Sequence, residues 1–318
     1  MSAIIIEGDL VHYEVMGRGK PIVLIHGWLG SWRYWLQTMQ QLGVKYRCYA
    51  LDLWGFGDSG KDPHRYDFHR QLQLLDQFME RMGFPKVILV GHGLGAALAA
   101  HYAANPTTGS KVHRMFLVCP PLFYEAPTSR PQALPLTSNT APGQSSSGQV
   151  RASTLPATRP SLNPLQSSAT ASPQSVQMGD VLRKIFEGAS PESLLAKATD
   201  STHPDYDKLR ALITKTDAQA ILRSAQAFNQ ISTFRDILQT AAPTMVMLGE
   251  NDGLLPYPDE NVLTQLAERP ALKLLVTASK HFPMIEDRTQ FLRIVKDFIE
   301  APDVTKLELT EEWVRRKR

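Results

Sequence analysis

A chain of 318 residues is long enough for one large α/β domain or two modest ones. Hydrophobic residues at 43% and charged residues at 20% match an ordinary globular chain, which argues against collagen-like, wholly disordered and membrane-spanning classes. The 34 basic and 31 acidic side chains leave a net charge of +3, which gives nucleic acid no basic footprint.

The opening MSAIIIEGDL has no basic n-region and reaches Glu7 and Asp9 before any long apolar stretch, so neither a signal peptide nor an anchor is expected. Residues 3–7 and 10–15, around Gly8 and Asp9, predict an antiparallel hairpin on a sheet edge. Short apolar runs follow at 22–25, 46–51, 87–90, 115–118, 245–248 and 272–276. Helical spacing separates the early runs at 32–42, 68–82 and 94–104. Continuous apolar strands separated by helices predict an α/β fold with a mostly parallel sheet covered on both faces. The longest apolar region, 87–100, is broken by His92 and three glycines and is too short to span a bilayer.

Between 126 and 178 the composition changes to eight prolines, eleven serines and six threonines with no acidic or aromatic residue, which predicts a disordered insert serving as a surface linker. Helical periodicity returns over 181–238, first at Leu182, Ile185 and Phe186, then at Leu209, Leu212 and Ile213, then at Ile221, Leu222 and Ala225. The expected organisation is a core of residues 1–121 and 239–300, a helical cap inserted at 122–238, and a tail at 301–318. The tail's ending, LELTEEWVRRKR, fits a capped helix or a frayed terminus equally well. Cys48 and Cys119 fall in strand-like runs without metal or redox spacing, so a reduced, cytoplasmic protein is expected; Cys119, ending a strand before Pro120-Pro121, could be a thiol at the mouth of a site but is expected to be buried and inert.

Three segments sit where strands of such a sheet end: His26-Gly27-Trp28 after PIVLI, GHGLGAALAA after VILV, and GENDGLLP after TMVML, joined later by SKHFPMIED. Open α/β sheets bind ligands at the carboxyl ends of their strands.

Together these segments resemble the α/β-hydrolase family over nearly the whole chain outside the insert. HGW at 26–28 resembles the family's oxyanion loop, DLWGFGDSG at 52–60 its second loop, and residues 91–95 its nucleophile elbow. Asp252 and His281 match the acid and the histidine. The resemblance implies that Asp252 orients the His281 imidazole, and that the Trp28 and Leu94 N–H groups form an oxyanion site. His26 is expected to support its loop and His92 to pack beside the elbow. One position departs from the pattern of small-x-nucleophile-x-small. The run reads Gly91-His92-Gly93-Leu94-Gly95, so Gly93 stands at the nucleophile's place and offers no oxygen or sulfur for covalent chemistry.

The expected function is therefore that of a vestigial or ligand-binding homologue of a small-molecule, esterase-like hydrolase. It would take a small apolar molecule beneath the cap, where Phe123, Tyr124, Leu182, Phe186 and Phe228 supply apolar lining, without cofactor or metal. One alternative is an enzyme that uses His281 and Asp252 as a general base without a nucleophile. Another is a serine-type hydrolase whose elbow has been altered artificially. Gly91, Gly93 and Ala96 also spell G-x-G-x-x-A, a dinucleotide fingerprint, but the next strand ends in LVCPP without the acid that would hold a ribose.

Overall fold

The computed structural model describes residues 2–123 and 178–308. The predicted disordered segment lies outside the described residues except for Met178, and so do Tyr124 and residues 309–318.

Eight strands form one sheet: β1 (Ser2–Ile6), β2 (Asp9–Gly17), β3 (Lys20–Ile25), β4 (Tyr46–Leu51), β5 (Val87–His92), β6 (Val112–Val118), β7 (Thr244–Gly249) and β8 (Leu272–Thr277). Their spatial order is β1-β2-β4-β3-β5-β6-β7-β8. The pairs β1–β2 and β2–β4 are antiparallel, and every other neighbouring pair is parallel. Strands β5 and β7 are buried at every position, which is why they read as unbroken apolar runs.

The edge hairpin turns one residue earlier than its sequence indicates. Glu7 and Gly8 both take positive φ, 49° and 81°, and Asp9 already belongs to β2. A two-residue hairpin loop that follows the strand twist needs φ > 0 at both central positions, and that requirement moves the turn onto Glu7-Gly8.

Helices α1 (Leu36–Leu42), α2 (Phe68–Arg81), α3 (Leu94–Ala104) and α4 (Pro106–Gly109) lie between the strands of the first half. The predicted helix at 32–42 opens as a 3-10 turn over Trp32–Trp35, where the Ser31 hydroxyl caps the Arg33 N–H. In α2 the Asp67 carboxylate caps the Arg70 N–H, and Leu74, Leu75, Phe78 and Met79 form the face buried on the sheet. Helix α3 buries nine of its eleven residues, most of them glycine or alanine, so it can lie close to the sheet centre.

Between β6 and β7 the chain forms α5 (Met178–Phe186), α6 (Pro191–Ala198), α7 (Tyr206–Ile213), α8 (Ala218–Gln226) and α9 (Thr233–Gln239). These helices are the cap: α5 packs on α8, α6 on α7, and α8 on α2 of the core. Helices α10 (Glu260–Glu268), α11 (Pro283–Glu286) and α12 (Arg288–Glu300) complete the fold. Arg114 of β6 donates to the Phe298 and Ala301 carbonyls, both at 2.6 Å, and so satisfies the carboxyl end of α12. Among the described residues no helix is long and apolar enough to cross a membrane.

The sheet order positions the site. β4 lies on one side of β3 and β5 on the other, so the connections reverse direction at β3, the kind of switch point beside which open α/β sheets bind ligands. The loops that begin at His26 and at Gly93 meet there.

Candidate active site

Gly93 caps α3 at φ 51° and ψ −112°, a backbone conformation that L side chains rarely adopt. The glycines on either side are fixed by packing. A Cβ on Gly91 would collide with the Gly95 carbonyl, and one on Gly95 with the carbonyl of Ile25. Gly93 differs, because a Cβ there meets only ordinary contacts, with His281 Nε2 and Trp28 Cε3 each at 3.5 Å and Gly27 Cα at 3.6 Å. The absent side chain would therefore point at the imidazole, with room to stand.

The imidazole is held from its other nitrogen. His281 Nδ1 lies 2.7 Å from Asp252 Oδ2, and the His281 backbone N–H donates to the Ala198 carbonyl at the end of α6. Asp252 Oδ1 accepts from the N–H groups of Leu254 and Leu255 at 2.8 and 3.1 Å. One carboxylate oxygen thus builds the turn after β7 while the other orients the ring. Burial alone would raise the Asp252 carboxyl, but the His281 ring and the two N–H donors outweigh it and hold the group below its usual range. His281 is fully buried, and its Nε2 has no hydrogen-bond partner among the described residues.

His92 packs against His281 with ring centroids 4.5 Å apart and planes tilted by 49°. Its Nε2 lies 2.8 Å from the His281 carbonyl, which can only accept, so Nε2 carries the proton. Burial, with the neighbouring His281 ring, pushes His92 well below the ordinary histidine range and keeps it neutral. Its Nδ1 then accepts from the Tyr34 hydroxyl at 2.9 Å, which in turn accepts the Gly27 N–H at 2.7 Å. A relay of three hydrogen bonds fixes the loop after β3 against the loop that carries His281.

His26 is similarly committed. Its Nδ1 donates to the Gly27 carbonyl at 2.8 Å and its Nε2 accepts the Leu53 N–H at 3.0 Å, with burial as the main cause of its lowered pKa. The loop at 52–60 is pinned by the fully buried Asp52, which accepts the Trp32 and Asp58 N–H groups at 2.8 and 3.0 Å and lies 3.0 Å from His12 Nδ1.

Trp28 and Leu94 are both fully buried. Leu94 opens α3, so its N–H has no partner within the helix. The Trp28 indole donates to Ser224 Oγ of α8 at 3.0 Å, and its ring packs against Phe186 and Phe228 with centroids 5.2 and 5.8 Å away. Leu182 is buried, whereas Phe123 is only partly so.

Cys119, at φ 43° just beyond β6, brings a free thiol to this centre. Its thiol, a carboxylate oxygen of Asp252 and a ring nitrogen of His281 lie within 4.8 Å of one another, a set that could close on a divalent cation. Burial first, and the Asp252 charge second, push the thiol well above its ordinary range. It is therefore neither a ready ligand nor a thiolate nucleophile. Its Sγ lies 3.9 Å from the Lys280 carbonyl.

Sequence reasoning did not find Tyr34, Ser224 or the approach of Cys119 to Asp252. Ser224 shares the buried face of α8 with Ala220 and Ile221, and a hydroxyl on an otherwise apolar face is a weak signal. Tyr34 carries no local signal at all.

A family model described as alpha/beta hydrolase fold matches residues 20–288. The chain belongs to the alpha/beta hydrolase family. Within it, the chain is similar to a soluble epoxide hydrolase from Corynebacterium sp. (strain C12), with 32% identity over 113 residues, 36% of this chain and 39% of that protein. It is also similar to a haloalkane dehalogenase from Mesorhizobium japonicum, 32% identical over 101 residues, 32% of this chain and 33% of that protein. The chain thus matches well under half the length of either relative. Among solved structures, an esterase from Exiguobacterium antarcticum superposes with a TM-score of 0.68 at 17% identity, covering 93% of this chain and 97% of that one. That likeness is one of fold.

Proposed function

We propose that this alpha/beta hydrolase protein is a vestigial homologue of a small-molecule hydrolase, retaining a ligand site but not covalent chemistry. Gly93 takes the nucleophile's position, Asp252 and His281 that of the acid and the base, and the N–H groups of Trp28 and Leu94 that of the oxyanion donors. The observation that carries this reading is the geometry at Gly93: an unpartnered, buried imidazole nitrogen faces an elbow with room for a Cβ 3.5 Å away. An acyl-enzyme needs an attacking oxygen or sulfur, and neither Gly93 nor the high-pKa Cys119 supplies one.

The ligand is a small apolar molecule, because the surroundings are Trp28, Phe186 and Phe228. Trp28 stands 3.5 Å from the place of a Gly93 Cβ, and the Phe186 and Phe228 rings pack on it from the cap side.

A second reading is favoured by the same orphan nitrogen. A buried nitrogen without a partner invites a water or a substrate hydroxyl, and His281 with Asp252 would then act as general base, worth roughly 10² to 10⁴-fold. Serine proteases stripped of a triad member keep about 10³ to 10⁴-fold over water. That residue of rate ranks ligand binding above ester turnover.

The native protein is expected to form no covalent adduct with an aryl phosphonate and to hydrolyse short aryl esters only at residual rates. Ordinary esterase turnover together with stoichiometric labelling would overturn the proposal. Any activity found that survives His281→Ala would remove the general-base reading.

A further inference from the structure

A cavity of about 370 Å3 lies at the seam where α7 of the cap meets Trp32–Trp35, α1 and the start of α12. Its size falls in the lower part of the range of roughly 300 to 1,000 Å3 typical of small-molecule sites. None of Trp28, Gly93, Leu94 or His281 lines it. We infer that this seam is a separate site for the carboxylate of a small amphipathic acid, such as a medium-chain fatty acid.

The walls are apolar, from Leu36, Leu209, Leu212 and Ile285, with the rings of Trp32 and Tyr34. The polar groups are unevenly balanced. Lys208 and Arg288 share Asp205, at 2.5 and 2.8 Å, while Arg33 and Lys215 share Asp58, at 3.6 and 2.6 Å. Along the seam, four cations therefore share two carboxylates. Arg33, Lys208 and Arg288 all line the cavity, with Asp205 the acid among its lining residues.

Two donors from lining residues are also unmet. Arg288 gives a terminal nitrogen to Asp205, but its Nε is buried without a partner. The indole nitrogen of Trp32, a residue 7% exposed, has no partner either. Both nitrogens are occluded, so the cavity is faced by the Trp32 ring and by the exposed end of the Arg288 side chain. A carboxylate suits this lining, since it carries the missing charge, accepts from the Lys208 and Arg288 side chains, and leaves its hydrocarbon tail for the apolar wall. An alcohol lacks the charge, and an amine brings the wrong one.

Octanoate, octanol and octylamine can be titrated into the full chain by calorimetry, with the Trp32 indole N–H followed by NMR. Octanoate is expected to bind saturably and to shift that resonance, while octanol and octylamine bind far more weakly. Arg288→Gln should weaken octanoate by roughly tenfold or more, the loss of one hydrogen bond to a charged group. Lys208→Gln, on an exposed side chain the fold does not need, should weaken it less, and it replaces Arg288→Gln as the test if that variant unfolds. No octanoate binding, equal binding of octanol, or binding unchanged in the folded variants would overturn the inference. The measurement makes no use of ester turnover, so its failure would leave the reading of Gly93 standing.

Discussion

Replacing Gly93 by alanine and by serine separates backbone strain from chemistry. At φ 51° and ψ −112° a side chain sits in a sparsely populated conformation, which costs about 1–3 kcal/mol. Lower entropy of the unfolded chain returns about 0.4–1 kcal/mol. The new Cβ adds no clash, since its nearest neighbours stand at 3.5 Å. Both variants should therefore lose roughly 1–2 kcal/mol, seen in urea as a lowered midpoint with an unchanged slope. Chemistry should split them. The serine Oγ, one bond beyond that Cβ, comes within hydrogen-bond reach of His281 Nε2, so Gly93→Ser should be labelled by an aryl phosphonate and Gly93→Ala should not. Variants as stable as the native chain would refute the strain at this elbow. A folded serine variant that stays unlabelled would refute the claim that Nε2 is aimed at a nucleophile's position.

Two further outcomes follow from the surrounding hydrogen bonds. Tyr34→Phe removes the hydroxyl that accepts the Gly27 N–H and donates to His92 Nδ1. With two buried groups left unmet, the loss should be roughly 2–4 kcal/mol by equilibrium denaturation; a loss below about 0.5 kcal/mol would show that the relay contributes nothing. Asp236 of α9 lies 2.9 Å from His101 Nδ1 of α3, and that hydrogen bond, opposed by partial burial, raises the His101 pKa above its ordinary value. A raised pKa contributes stability that is fully present below the unfolded value of about 6.5 and fades as pH climbs through the folded value. The stability gap between the native chain and Asp236→Asn should accordingly be widest in mild acid and narrow in alkali, and NMR titration should find His101 above its ordinary range only when Asp236 is present. A gap that widens with pH would reverse the assigned sign.

Much of the fold was legible because it is written in local periodicity. Continuous apolar runs became β3 to β8, and the helix at 94–104 has the limits its sequence indicates. The loop of Glu7 and Gly8 was misplaced by one residue, since a glycine in sequence does not say which of its neighbours also takes positive φ. Of the candidate site, His26, Trp28, His92, Gly93, Leu94, Asp252 and His281 could be named because each follows a strand of a recognisable sequence of motifs. Their distances could not. Gly93 faces His281 because β3, with β4 on one side and β5 on the other, is where the loops from these strands converge. Trp28 meets Ser224 across 196 residues of chain, and Tyr34 reaches His92 across 58. Sequence alone settled which atoms are encoded, including a glycine without a side-chain oxygen at position 93. Tertiary structure decided which encoded atoms meet, because contacts between distant residues depend on strand order and cap docking, and neither leaves a periodic trace along the chain.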